Sequence, residues 1–162
     1  MTTTSDPALK PLNRLLGSWV TEATHPALPG VVVQGTAIME WLEGERFLIL
    51  RSRTDHPDFP DGISIIGFTE RDRVQSAPSI DPGTANKPQM RMHYFDSRGV
   101  SRVYEATIDD ESWRVWRDAP GFSQRFSGAF ADGGDTIVGR WQMCQDEVHW
   151  NDDLEITYRR PK

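Results

Sequence analysis

The chain has 162 residues, 37% of them hydrophobic and 26% charged, a length and balance that suit one domain with its own core and exclude a wholly disordered chain. Its net charge of −6, with both signs interspersed, argues against the basic face of a nucleic-acid or anionic-membrane binder. No apolar run approaches the roughly 20 residues that a membrane-spanning helix needs.

The amino terminus, MTTTSDPALKPLN, has no basic stretch followed by an apolar one, and the single Cys144 has no intrachain partner. Both features fit a reducing compartment, so a cytoplasmic protein is expected. Residues 5–16 carry the one helical pattern. Asp6 is placed to cap it, Pro7 suits its first turn, and Leu9, Leu12, Leu15 and Leu16 fall at helical spacing before Gly17. Pro11 keeps that helix short.

From Gly17 onward the period is two. Short β-branched and aromatic stretches at 18–24, 31–42, 46–54, 63–69, 89–97, 100–108, 112–117, 123–131, 136–145 and 154–160 alternate with Gly, Pro, Asn and Asp. Glu43-Gly44, Arg98-Gly99, Asp109-Asp110 and Gly133-Gly134 stand where hairpins need residues tolerant of positive φ. An all-β meander of about ten antiparallel strands is expected, closed into a barrel because closure removes exposed edges, with a sandwich as the alternative. The long break at 73–88 reads as a flexible surface loop, with a lid over a pocket as the other reading.

Several strands carry charge on both alternating faces, so an all-apolar interior is not expected. Unpaired buried charges are costly, and inward Arg or His side chains need partners, water or a ligand. The candidates for such a lining are Arg51, His93, Tyr94, Arg102, Tyr104, Arg117, Arg125 and Trp141, with Trp41 and Trp116 as further aromatic wall. Arg and Tyr are suited to orient a carboxylate or phenol. His93, the only His inside a confident strand, is the one candidate for acid–base catalysis, near Glu105 or Asp96.

No His or Cys spacing suggests a metal site, and Cys144 lacks the cationic surroundings of a nucleophile. Nucleophile elbow, phosphate loop and dinucleotide fingerprint are all missing from the sequence.

The segment LLGSW, from Leu15 to Trp19, resembles the opening signature of lipocalins and the wider calycin barrels. That likeness implies Trp19 packed across the closed end of a barrel, beneath an Arg from the last strand, Arg159 or Arg160. The stretches WLEGERFLILRS, MHYFDSRGVSRVYE, DAPGFSQRFSGAF and DLEITYRR are similar to a bacterial calycin-like barrel family of unknown function. The PLNRLLGSW opening and the SRT segment from Ser52 to Thr54 are shared more distantly with nitrobindins, which implies haem held by a His near the last strand. That strand, LEITYRRP, has no His, and His149 precedes it in a turn-like segment. No cofactor is therefore expected, with haem as the alternative.

Together these readings point to a small-molecule-binding barrel for a largely apolar ligand with a polar or acidic end. The alternatives are an isomerase or lyase using the same pocket, a haem-binding protein, and an oligomerisation unit whose exposed aromatic strands form a homodimer.

Overall fold

The computed structural model describes residues 1–69 and 89–162; the expected loop at 73–88 lies outside the described residues. Ten antiparallel strands form one closed barrel: β1 (Gly17–Thr24), β2 (Val33–Trp41), β3 (Phe47–Thr54), β4 (Gly62–Gly67), β5 (Met90–Asp96), β6 (Ser101–Ile108), β7 (Ser112–Arg117), β8 (Ser123–Ala131), β9 (Thr136–Cys144) and β10 (Trp150–Arg159). Each strand pairs with its neighbours in sequence, and β1 pairs with β10 to close the ring, Val20 opposite Arg159 and Thr24 opposite Glu155. All ten expected strands are present, and the barrel displaces the sandwich.

Period-two alternation assigns the faces. On β1, Trp19, Thr21 and Ala23 are buried while Ser18, Val20, Glu22 and Thr24 are exposed. The expected helix at 5–16 is smaller than the leucine spacing suggests, a 3₁₀ helix over Lys10–Leu15 preceded by a turn. Asp6 serves that turn, its carboxylate accepting from the Ala8 N–H at 3.0 Å. Pro11 lacks an N–H and sits where the first helical positions leave donors unpaired anyway.

This helix closes one end of the barrel. Leu9, Leu12 and Leu15 are at most 1% exposed and pack with Trp19, whose Nε1 donates to the Leu15 carbonyl at 2.8 Å. The Arg160 guanidinium lies 4.1 Å above the Trp19 ring and donates to the Leu16 and Arg14 carbonyls at 2.7 and 3.0 Å. Of the two late arginines it is Arg160 that caps Trp19; Arg159 points outward to Glu22. The strand ends that flank the undescribed residues, Gly67 and Met90, belong to this closed end by their pairing with Phe47 and Ala106.

Candidate functional site

Above this plug the barrel encloses a cavity of about 650 Å³ that opens at the opposite end. Its wall is strongly aromatic. Trp113 and Tyr158 lie deep, next to Trp19; Tyr104, Phe126 and Trp141 form the middle; Tyr94, Phe122 and Phe59 stand toward the mouth.

The faces that looked mixed in sequence are sorted by register. On β3, Leu48 and Leu50 point in and Arg51 points out. On β5, Met90, Met92 and Tyr94 point in and Arg91, His93 and Phe95 point out. Among the expected lining residues, Tyr94, Arg102, Tyr104 and Trp141 meet in the cavity, and the other four do not.

Arg51 is exposed and ion-paired with Glu40. His93 belongs to an outer row with Ile49, Ile65 and Val103, so a cavity-bound molecule is not presented to it; Glu105 shares that outer face, and no hydrogen bond or ion pair joins the two. Arg125 lies outside, 4.0 Å over the Trp150 ring, with its Nε donating to Gln142 at 2.8 Å. Arg117, at the end of β7, donates to the Phe122 carbonyl at 3.4 Å and borders a surface depression with His93, Phe95 and Ser101. Trp41 bonds Asn13 outside the cavity, and Trp116 does not line it.

The polar centre of the cavity is built on two strands. Arg102 and Tyr104 are alternate inward residues of β6, and Gln124 is the first inward residue of β8. The Gln124 Oε1 accepts from the Tyr104 hydroxyl at 2.9 Å and from Arg102 Nη1 at 3.1 Å. This fixes the orientation of the amide: its oxygen faces two donors, and its Nε2 has no partner among the described residues. Arg102 also lies 5.0 Å over the Phe122 ring, and no described carboxylate pairs with it. Burial pushes the Tyr104 hydroxyl above its ordinary pKa, with Arg102 pulling the other way, so it is a neutral donor at pH 7. Donors outnumber acceptors here.

Gln124 was not legible as a site residue, since an amide in an aromatic strand carries no charge to mark it. His25 and Asp153 were also missed. A β-bulge between Asp152 and Glu155 sets two residues of β10 against one of β9, and both Asp153 and Leu154 line the cavity. The Ala27 N–H donates to His25 Nδ1 at 3.0 Å, so the ring proton is on Nε2, 2.6 Å from the Asp153 carboxylate. This pair stands at the mouth with Phe59 against the imidazole.

The haem alternative implies an axial histidine. His25 is the only described histidine that lines the cavity, and both its ring nitrogens are engaged, so no described histidine is free to serve as that ligand. Among the described residues no three His, Cys, Asp or Glu side chains gather to hold a metal ion. No helix is long and apolar enough to cross a membrane.

The same barrel occurs in known structures. Rv2717c from M. tuberculosis superposes with a TM-score of 0.63 at 15% identity, over 99% of this chain and 100% of that one. The S-type phycobiliprotein lyase CPES from Guillardia theta superposes with a TM-score of 0.53 at 12% identity, over 93% and 90%. These are ten-strand barrels of the calycin-like type, and at such identities the likeness is one of fold. No family model matches the chain, and no curated protein matches it.

Proposed function

We propose that the barrel binds one small, largely apolar molecule whose acidic or polar end meets Arg102, Gln124 and Tyr104. The observation that carries this reading is the donor surplus inside an aromatic cavity. Arg102 faces only a neutral amide oxygen and an aromatic ring, and Gln124 holds an unpartnered NH₂ although it is only 7% exposed. A partly desolvated guanidinium beside free amide donors is stabilised most by an oxyanion that accepts from both. The aromatic wall supplies the apolar remainder of the contact.

Binding is preferred to catalysis because His93 faces outward and the imidazole at the mouth is locked on both nitrogens. The lyase named among the structural neighbours keeps chemistry on a bound molecule as the alternative for the same cavity. A cytoplasmic setting fits the one buried thiol, Cys144. The LLGSW opening supports placing the chain with bacterial calycin-like barrels, distantly akin to nitrobindins. Neither nucleic acid nor membrane is part of the reading. The half-exposed Phe95 and Val103 on the outer wall favour a homodimer through that face.

The test is calorimetric titration with para-phenylbenzoate, an aromatic carboxylate. A charge-assisted hydrogen bond contributes about 1.5–3 kcal/mol, so Arg102→Met should weaken binding about 10- to 100-fold. Unchanged affinity in the variant, or no saturable binding to the wild type, would sink the proposal.

A further inference from the structure

The deep end of the cavity is not purely hydrocarbon. Tyr158, on β10, is only 8% exposed, its ring edge-on to Trp19 at 6.4 Å and tilted against Trp113 at 6.3 Å. Its hydroxyl has no hydrogen-bond partner among the described residues, although the side chain lines the cavity. Its cross-strand neighbour on β1 is Thr21, 5% exposed, also on the cavity wall and also without a partner for its hydroxyl. The indole Nε1 of neighbouring Trp113 is different: it has no acceptor but is shut off from the cavity.

Buried polar groups are almost always paired, and each exception asks for an explanation. Two unpartnered hydroxyls side by side on an otherwise aromatic floor, both open to the cavity, are more than packing requires. A phenylalanine at 158 would fill the same volume without leaving a hydroxyl unsatisfied. Burial also holds the Tyr158 hydroxyl protonated, so the floor offers neutral donors rather than charge. What suits such a corner is an oxygen that can accept from the phenol O–H.

We propose that the ligand carries a second polar group, an oxygen at the end opposite its acid, received at the floor by the hydroxyl of Tyr158 with Thr21 beside it. This rests on the binding reading above and names the class of molecule: a two-ended aromatic or alicyclic acid with a far hydroxyl, keto or ether oxygen. A plain fatty or aryl acid satisfies only the Arg102 end. Sites built to hydrogen-bond an oxygen discriminate against analogues that lack it, because their own groups are left unpaired.

The experiment compares para-phenylbenzoate with the same acid bearing a para-hydroxyl on its far ring, titrated calorimetrically into the full chain and into Tyr158→Phe and Thr21→Val. The wild type is expected to prefer the hydroxy acid about 3- to 10-fold, the range of one neutral hydrogen bond. Tyr158→Phe should erase that preference while keeping its affinity for the plain acid, and Thr21→Val should reduce it. Equal affinity of the wild type for the two acids overturns the proposal without any variant, and shows a floor hydrated by water alone. A preference that survives in Tyr158→Phe overturns it too. If the plain acid binds and responds to Arg102→Met while the far hydroxyl adds nothing, the second pole fails alone; if neither acid binds, the cavity reading fails and the second pole with it.

Discussion

Asp96 shows how one residue positions the cavity rim. Its side chain is fully buried, yet it accepts from the Tyr94 hydroxyl at 2.8 Å, from Arg98 Nη2 at 2.6 Å, and from the backbone N–H groups of Arg98 and Val100 at 3.0 and 3.3 Å. Burial works to raise its pKa, but the donors from Arg98, Tyr94 and the backbone outweigh it and hold the carboxyl down at about 2. A folded-state pKa below the unfolded value of about 3.9 means stability that is present above pH ~4 and lost as pH falls toward 2. Asp96→Asn should therefore lower the melting temperature at pH 7 by several degrees, at about 2–4 °C per kcal/mol, and the gap from wild type should close as pH falls below about 3. Melts followed by circular dichroism at both pH values check this; a gap that stays constant would contradict it. At this scale the sequence was half informative. Tyr94, Arg102, Tyr104 and Trp141 were readable as lining, but Arg51, His93 and Arg125 were not separable from them. The outer wall also carries Phe47, Ile49, Ile63, Ile65 and Phe95, so alternation alone did not say which parity was inside.

Among the elements, β8 and β9 depend on a pair of glycines. Gly128 and Gly139 are directly opposed, and the Phe126 ring lies across them. A Cβ at Gly139 would stand 2.5 Å from that ring, and one at Gly128 would stand 2.9 Å from it. The ring is also wedged between Trp113 at 5.0 Å and Trp141 at 5.2 Å, both cavity walls. Gly139→Ala should cost about 1–3 kcal/mol as overpacking, read as a lower urea midpoint, and should alter para-phenylbenzoate affinity through the displaced wall. A variant with wild-type midpoint and affinity would show that Phe126 has room to move. A glycine inside a strand signals a close approach in the sequence. Which ring approaches it depends on pairing between strands, and that is not a local property.

For the molecule as a whole, closure was legible because the turn chemistry spaced ten short strands with no connection long enough for another topology, apart from 73–88. Gly44 and Gly99 adopt the positive φ that their hairpins demand, at 88° and 83°. The plug was legible only through the LLGSW likeness, because nothing local says that an arginine 144 residues later in the chain reaches the Leu16 carbonyl. Arg160→Leu removes the hydrogen bonds to the Leu16 and Arg14 carbonyls, the ion pair with Asp135 and the contact over Trp19. A loss of about 1–3 kcal/mol is expected from these together, measured by equilibrium denaturation, and an unchanged midpoint would argue that the leucines alone hold the end shut. The bulge at Asp153 was illegible for a different reason, since an extra residue in one strand shows itself only against its partner.

Among the described residues, Leu9, Leu12, Leu15 and Trp19 make the barrel a sack open at one end. A ligand of the proposed two-ended kind would enter by its far end and leave acid first, and the described wall gives a newcomer no back entrance from which to push out the occupant. Exchange between two such molecules then runs through an emptied barrel, at a pace set by departure and indifferent to how much of the competitor waits outside.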